Sequence, residues 1–220
     1  MNSKSSPEGD KVIIVAGGSL GDWAIREIER ADKYIGADRG AEFLVLHGYE
    51  PDLAIGDFDS LQQLDTEQVR QASKRWVDCD PVMKDYTDTE MAFNEALALK
   101  PSEIILIGAT GTRLDHSLAN LHLLVQGLEA RIRCKIVDAS NEITLIDDEL
   151  MVFPNEYKYL SLLPLSEEVH GITLEGFLYP LKDASLKIGQ TLGISNIVTA
   201  GVGRITLAKG KLLVIRSKDN

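Results

Sequence analysis

The first 140 residues alternate short apolar runs with segments of helical periodicity. Residues 12–16 are five consecutive apolar residues, as expected for a buried strand, whereas residues 87–99 carry apolar side chains at helical spacing. This alternation predicts an α/β domain with a mostly parallel sheet covered by helices. The predicted strands are residues 12–16, 34–37, 53–55, 76–77, 104–107 and 132–137, and the predicted helices are residues 22–30, 41–46, 65–73, 87–99 and 115–128.

The helical signal ends near residue 140, and short β-type runs between Gly, Pro, Asn and Asp follow. This pattern predicts an all-β, sandwich-like C-terminal domain. We therefore predict a disordered tail over residues 1–10, an α/β catalytic domain over residues 11–140 and a β domain over residues 141–220. The predicted strands of the β domain are residues 143–146, 151–153, 159–163, 171–174, 197–199, 204–207 and 212–215.

Composition and charge indicate which partners and which location to expect for the protein. The formal net charge of −11 argues against nucleic acid, because proteins that bind a phosphate backbone usually present a basic face. No apolar run reaches the length of a membrane span, and the polar first ten residues lack the apolar core of a signal peptide. The two cysteines, Cys79 and Cys134, form neither a metal-binding spacing nor a disulfide framework. We therefore expect a cytoplasmic protein with no membrane partner.

Acidic residues follow three of the predicted strands. Asp57 and Asp59 come directly after residues 53–55, Asp88 stands at the start of a predicted helix, and Asp115 follows residues 104–107. The carboxyl ends of parallel strands meet at the edge of the sheet where α/β proteins bind ligands. Carboxylate oxygens are the ligands that Mg²⁺ prefers, and it commonly acts together with phosphates. The three loops therefore predict a Mg²⁺ site, although a single aspartate of this kind is more often a turn or cap residue.

Two glycine turns lie at the ends of the first two strands. Gly17 and Gly18 precede a helix, where glycine lets a phosphate approach backbone N–H groups, but they match neither the P-loop nor the dinucleotide fingerprint. Asp38, Arg39 and Gly40 follow the second strand, where Asp38 can accept a hydrogen bond from a ribose hydroxyl or orient Arg39. We predict cofactor binding by both turns, while an ordinary turn and a local ion pair explain the same residues about equally well.

Two further loops combine cations with carboxylates. Residues 84–88 contain Lys84 and Asp88, a mixture suited to phosphoryl transfer, and residues 108–116 place Thr112 and Arg113 in a glycine-rich strand-to-helix loop. Arginine offers paired donors to phosphate, and the amides at a helix start add to the same anion site. His116 is interpreted as a polar residue of the helix start and not as a proton shuttle, because the sequence shows no partner for it.

In the β domain, Tyr179 precedes a proline, and Ser195 and Asn196 follow a glycine. An exposed aromatic ring can stack on a flat ligand, and the two polar side chains can form hydrogen bonds. Taken alone, these are ordinary hairpin features.

In this order, the motifs closely resemble the bacterial type of thiamine pyrophosphokinase. The resemblance runs from about Val12 to Ile215 and is most specific at residues 36–40, 56–60, 84–88, 108–116 and 179–196. It implies transfer of the pyrophosphoryl group of ATP to the hydroxyl group of thiamine, with thiamine diphosphate and AMP as products and Mg²⁺ as cofactor. It also implies a homodimer whose active sites are shared between the subunits.

The resemblance assigns roles to single residues. Asp57, Asp59 and Asp88 match the metal-binding carboxylates, while Arg113 and Asp115 match a pair that faces the substrate. Lys84 stands where some members have Gln, so its role is less defined. Asp88 and Asp115 are both candidates for a general base.

In the β domain, Tyr179 matches a position often held by a Trp that stacks on thiamine from the partner subunit. Ser195 and Asn196 match a thiamine-side motif. The residues alone also allow another Mg²⁺-dependent phosphotransferase or nucleotidyltransferase, or a nucleotide or thiamine diphosphate sensor without catalysis. The complete set of charged residues argues against a sensor, which has no need of all of them.

Overall fold

The computed structural model describes residues 9–79 and 85–219. It divides into two compact units, Met1–Ala139 and Ser140–Asn220. Most of the predicted disordered tail, and Lys84 with the residues just before it, lie outside the described residues. Within the described residues, no helix is long and apolar enough to cross a membrane.

The first unit is built on parallel strands in the order β4-β3-β2-β1-β5-β6. Its elements are β1 (Lys11–Val15), α1 (Asp22–Ile28), β2 (Lys33–Ala37), α2 (Arg39–Leu46), β3 (Leu53–Gly56), α3 (Thr66–Gln71), β4 (Trp76–Asp78), α4 (Asp88–Ala98), β5 (Glu103–Ile107), α5 (Leu114–Glu129) and β6 (Arg133–Val137). The central strands β1 and β5 are almost completely buried, which explains their continuous apolar runs.

Local signals place the helix starts of this unit. The side chain of Thr87 accepts a hydrogen bond from the N–H of Glu90 and so caps α4. Asp65 and Gln68 form a reciprocal capping box at the start of α3. Because the strands are parallel, the loops that follow β1, β2, β3 and β5 meet at the same edge of the sheet.

The second unit is all β. Its elements are β7 (Asn141–Ile146), β8 (Glu149–Val152), β9 (Tyr159–Pro164), β10 (Glu168–Glu175), β11 (Leu181–Lys187), β12 (Gly203–Thr206) and β13 (Leu212–Ser217). Strand β13 pairs antiparallel with both β7 and β9, and β10 and β12 form an antiparallel sheet with β11 and β8 at its edges. Apolar side chains from both groups of strands share one core.

The predicted fold class, an α/β part followed by an antiparallel sandwich-like part, is confirmed. One predicted strand is wrong, and one strand of the structure is not among the predicted strands. Strand β11 was not predicted, because its side chains are largely polar and only Leu186 is buried. Residues 197–199 form no strand, and Val198 makes only an isolated bridge to Phe177.

Candidate active site

A cleft of about 350 Å³ opens at the carboxyl ends of the strands in the first unit. It is bounded by the loops after β1, β2 and β5 and by the first turns of α4 and α5. Of the predicted site residues, it brings together Gly17, Gly18, Asp38, Arg39, Asp88, Thr112 and Arg113. Its lining consists of residues 16–18, 37–39, 60, 87–89, 108–113, 116, 117 and 120.

The glycine turn after β1 is joined to the glycine-rich loop after β5. The N–H of Gly18 donates to the carbonyl of Gly108 at 2.8 Å, and the N–H of Ser19 donates to the carbonyl of Thr110 at 2.9 Å. A Cβ atom on Gly18 would lie only 2.3 Å from the Thr110 oxygen and 2.4 Å from the Gly108 oxygen. Glycine is therefore required for these two loops to approach each other and form one wall of the cleft.

Gly40 has a structural role that is separate from the predicted cofactor binding. A Cβ atom there would lie 1.7 Å from the carbonyl oxygen of Val15, so Gly40 allows α2 to pack directly against β1. It is buried and is not among the residues that line the cleft. Close backbone packing accounts for this glycine, and its part in cofactor binding stays a prediction.

Three carboxylates gather beside the cleft, and only Asp38 among them belongs to its lining. Oxygen atoms of Asp38, Asp57 and Asp59 all lie within 4.8 Å of one another. Burial raises the pKa of Asp38, the negative charges of Asp88, Asp57 and Asp59 raise it further, and a hydrogen bond from Ser60 lowers it. Oδ1 of Asp38 is buried without a hydrogen-bond partner. Crowded negative charge and an unsatisfied buried oxygen are features that a bound cation would compensate.

Sequence reasoning missed the place of Asp38 in this cluster. The metal prediction named Asp57, Asp59 and Asp88, whereas the oxygens found closest together are those of Asp38, Asp57 and Asp59. Asp88 lines the same cleft at the start of α4, near enough for its charge to raise the pKa of Asp38. A signal existed in the sequence, since Asp38 follows the predicted strand 34–37 as Asp57 follows 53–55, but only the structure shows that these two strands are neighbours.

The loop between β3 and α3, residues 57–65, carries two of these carboxylates and is called the acidic loop here. Phe58 lies between Asp57 and Asp59 and adopts φ 55°, an uncommon conformation for a bulky residue. Its buried ring stacks on Trp76 with centroids 3.7 Å apart and planes 20° apart. Strain of this kind persists only where packing enforces it, and it is frequent at functional sites.

Arg113, which lines the cleft, forms an exposed ion pair with Asp115. Nη2 of Arg113 lies 2.6 Å from Oδ2 of Asp115, and 69% and 65% of the two side chains remain exposed. The hydrogen bond from Arg113 lowers the pKa of Asp115, and the same bond raises the pKa of Arg113. Exposed pairs of this kind add little stability, so the guanidinium is available to an anionic ligand.

Two polar residues outside the predicted site, Asn120 and Asp138, hold the glycine-rich loop after β5. Asn120 is buried on α5, and its Nδ2 donates to the carbonyl of Ala109 at 2.8 Å. Oγ1 of Thr110 donates to Oδ2 of Asp138 at 3.0 Å. His116, interpreted as a helix-start residue, does lie in the first turn of α5 and also lines the cleft.

In the second unit, Tyr179 is held by Asn196. The N–H of Tyr179 donates to Oδ1 of Asn196 at 3.0 Å, and Nδ2 of Asn196 donates to the carbonyl of Tyr179 at 2.7 Å. Asn196 is buried, whereas 62% of Tyr179 is exposed. Its neighbour Ser195 has φ 58° and donates its N–H to Oγ of Ser161 at 3.1 Å. The arrangement presents the Tyr179 ring to solvent on a fixed backbone.

Each of the two units matches a family model of known proteins. The family model of the thiamin pyrophosphokinase catalytic domain matches residues 25–136, and that of the thiamin pyrophosphokinase vitamin B1 binding domain matches residues 139–212. Thiamine pyrophosphokinase of Bacillus subtilis is 36% identical over 194 residues, which cover 84% of this chain and 87% of the relative.

Solved structures agree with these matches. The crystal structure of the Bacillus subtilis thiamine pyrophosphokinase superposes with a TM-score of 0.86 at 34% identity, covering 96% of this chain and 100% of the other. The thiamin pyrophosphokinase of Geobacillus thermodenitrificans gives a TM-score of 0.82 at 36% identity, with coverages of 96% and 98%. The resemblance found in the sequence is confirmed: this chain belongs to the thiamine pyrophosphokinase family.

Proposed function

We propose that this protein is a thiamine diphosphokinase, which transfers the pyrophosphoryl group of ATP to thiamine and releases AMP. The family supports ATP-dependent formation of thiamine diphosphate. The observation that carries the proposal is the carboxylate cluster of Asp38, Asp57 and Asp59 beside a glycine-rich cleft. Such a combination suits a triphosphate bound together with a divalent cation.

The carboxylate cluster fits Mg²⁺. Asp38, Asp57 and Asp59 would hold the ion, with Asp88 close by, and the buried free oxygen of Asp38 would gain a partner. A bound Mg²⁺ would supply neutralisation of the negative charge on the phosphates. The proposal of Mg²⁺ rests on the all-oxygen donor set, which a hard cation prefers.

The remaining residues of the cleft position the triphosphate and handle charge. Gly18 and Gly108 let the loops after β1 and β5 approach each other to form one wall of the cleft, and Arg113 offers a guanidinium to the phosphate oxygens. A bond forms between the thiamine hydroxyl oxygen and the β-phosphorus, while the bond from that phosphorus to the oxygen shared with the α-phosphate breaks. AMP leaves with that oxygen. Alignment and charge neutralisation supply most of the rate in such transfers.

The rate of a transfer of this type depends little on a base that accepts the hydroxyl proton. Of the two candidates, Asp88 lines the cleft, whereas Asp115 does not. Because Arg113 lowers the pKa of Asp115, that carboxylate is a poor proton acceptor as long as the ion pair persists. We therefore assign the role of base to Asp88 in preference to Asp115.

Thiamine recognition is proposed to involve the second unit. The exposed ring of Tyr179 can stack on the flat ligand, and Asn196 fixes the backbone that carries this ring. We further propose that the protein works in the cytoplasm as a homodimer, in which Tyr179 of the partner subunit completes each site. No nucleic-acid partner is proposed, in line with the net charge of −11.

The direct test is product analysis. The purified protein is incubated with ATP, Mg²⁺ and thiamine, and nucleotides and thiamine phosphates are separated by chromatography. Equal amounts of AMP and thiamine diphosphate are expected, with none after addition of a chelator. ADP with thiamine monophosphate would indicate an ordinary kinase, and tight binding of thiamine diphosphate without turnover would indicate a sensor. Either result would overturn the proposal.

A further inference from the structure

A carboxylate outside the metal cluster makes an unusual set of contacts with the acidic loop. Glu42 lies on α2 and is only 4% exposed, which makes it a buried charged side chain among the described residues. Burial of a carboxylate is costly unless hydrogen bonds replace its water. A buried glutamate of this kind therefore needs an explanation in the structure around it.

The explanation lies in three backbone amides of the acidic loop. Oε1 of Glu42 accepts hydrogen bonds from the N–H groups of Gln62 at 2.9 Å, Gln63 at 2.5 Å and Leu64 at 2.8 Å. Burial would raise the pKa of Glu42, but these three bonds and the nearby charge of Arg39 outweigh it and lower the pKa. Glu42 is therefore held as the ionised acceptor for a segment that has no regular secondary structure to bind its amides.

Glu42 and two other contacts, together with the capping box of Asp65, hold the acidic loop. The ring of Phe58 is stacked on Trp76, and Oγ of Ser60 donates to Oδ2 of Asp38. Glu42 fixes the C-terminal half of the loop, which the other two contacts do not reach. Asp57 and Asp59 lie in the N-terminal half of the same short loop. A displacement of residues 62–64 that is transmitted along the loop would therefore change the separation of their carboxylates from Asp38.

We propose that Glu42 is a positioning residue that locks the acidic loop and thereby holds Asp57 and Asp59 in the arrangement that binds the divalent cation. The inference rests on the metal site of the proposed function. Glu42 does not belong to the carboxylate group itself, which comprises Asp38, Asp57 and Asp59 among the described residues. Partners that orient metal ligands typically change metal affinity or activity by about tenfold to a hundredfold when they are removed.

A competing explanation is direct contact with a ligand. Glu42 also borders a small cavity of about 130 Å³ together with Arg39, Phe43, Gln62 and Gln63. A contact of that kind would affect the binding of ATP and leave metal binding by the nucleotide-free protein unchanged. The two explanations are therefore separated by measuring the metal alone.

The experiment compares Glu42→Ala and Glu42→Gln with a matched control, Asp52→Asn. Oδ2 of Asp52 also accepts a backbone N–H, that of Tyr34 at 2.8 Å, but it does so just before β3, at the opposite end of that strand from the acidic loop. Mn²⁺ serves as the probe, and its affinity for the nucleotide-free protein is measured by electron paramagnetic resonance. Hydrogen exchange followed by mass spectrometry reports the protection of residues 57–65.

We expect Glu42→Ala to weaken Mn²⁺ binding by about tenfold or more and to speed exchange in the acidic loop. Glu42→Gln keeps an oxygen acceptor and should lose less affinity, and Asp52→Asn should bind Mn²⁺ as the wild type does. If Glu42→Ala does not fold, a severalfold weakening of Mn²⁺ binding in Glu42→Gln supports the inference in its place.

Unchanged Mn²⁺ affinity in folded Glu42 variants, or an equal loss in Asp52→Asn, would overturn the inference, as would a loss of ATP affinity alone. Product analysis tests the proposed function separately. A protein that makes no thiamine diphosphate but shows the expected Mn²⁺ shift would refute the function and retain the positioning role.

Discussion

Oγ of Ser60 donates a hydrogen bond to Oδ2 of Asp38 and so joins the acidic loop after β3 to the turn after β2. The two residues are 22 positions apart in the sequence, but β2 and β3 are neighbouring parallel strands whose carboxyl ends meet. This bond leaves Oδ1 of Asp38 as the buried oxygen without a partner. The contact thus fixes one carboxylate oxygen of Asp38 and leaves the other without a hydrogen-bond partner.

Asp38→Asn should stabilise the metal-free protein while it abolishes most activity. The raised pKa of Asp38 means that its ionised form is disfavoured in the folded state, so stability falls as pH rises through that pKa. Removing the charge should therefore raise the melting temperature near pH 7, by an amount that solvent screening of this partly exposed group keeps modest. Calorimetry in the presence of a chelator at pH values near 5 and near 8 measures the effect. A variant less stable than wild type at the higher pH would contradict it.

Asp57→Asn and Asp59→Asn should each remove most activity and leave the fold intact. Each variant keeps the size of the side chain but takes one negative charge from the group of oxygens that lie within 4.8 Å of one another. Metal and ATP binding should weaken, whereas the buried core is untouched because the two side chains are exposed or only partly buried. Titration of activity with Mg²⁺, alongside circular dichroism, provides the measurement. Full activity with unchanged Mg²⁺ dependence in both variants would reject the metal assignment.

Arg113→Ala should lower turnover much more than stability. The side chain is 69% exposed, and its ion pair with Asp115 lies at the surface, so little packing is lost. Loss of one preorganised charge donor should cost the transition state about 2–4 kcal/mol. Steady-state kinetics and thermal unfolding of the same preparation test this, and Arg204→Ala, which breaks an exposed pair with Glu149 in the second unit, is the matched control. Normal turnover in a clearly destabilised Arg113→Ala protein would be the opposite outcome.

Tyr179→Ala should raise the KM for thiamine severalfold to tens-fold and change the KM for ATP little. Thiamine carries a cationic thiazolium ring, and a cation near an aromatic face gains about 0.5–2 kcal/mol, depending on desolvation. Tyr179→Trp should keep or improve thiamine binding, because Trp is the stronger partner of a cation. Initial rates at varied concentrations of each substrate give both constants. Lost stability with unchanged kinetics would show that Tyr179 is a packing residue only.

The proposed shared site adds a complementation test to the Tyr179 variant. In mixed dimers of Tyr179→Ala and Asp57→Asn subunits, one of the two sites contains neither change if Tyr179 comes from the partner subunit. At a low thiamine concentration, some activity should therefore return when the two impaired proteins are dissociated and mixed. Verified mixed dimers that remain inactive would count against a site shared between subunits.

The contribution of Glu42 to stability should depend on pH. Its folded-state pKa is lowered from the ordinary value of 4.5, so its stabilisation is complete above that value and is lost as pH falls through the folded pKa. The difference in unfolding free energy between wild type and Glu42→Gln should therefore be constant from about pH 6 to about pH 8 and shrink below about pH 4.5. Urea unfolding across this range measures it. A difference that grows in acid would show that the carboxylate is destabilising.

The local pattern of the sequence determined most of the secondary structure. Buried parallel strands such as β1 and β5 are continuous apolar runs, and helices such as α4 begin at a residue that caps them, here Thr87. Each of these signals lies within one turn or one strand and needs no knowledge of the partner element. Strand β11 is not predicted from the sequence, because an edge strand with largely exposed polar residues carries little apolar pattern.

The tertiary structure alone decided which side chains act together. Asp38 and Asp57 belong to different loops, and the sequence does not state that β2 and β3 are neighbours. The contact of Glu42 with the amides of the acidic loop spans about twenty residues in the sequence. Its donors are backbone N–H groups, and the identity of the residues that carry them does not reveal the contact. Apolar periodicity is a short-range property, whereas strand order and buried hydrogen bonds depend on the whole chain. The sequence by itself therefore determined the elements, the loops and the family, and the packing of the sheet assembled the site.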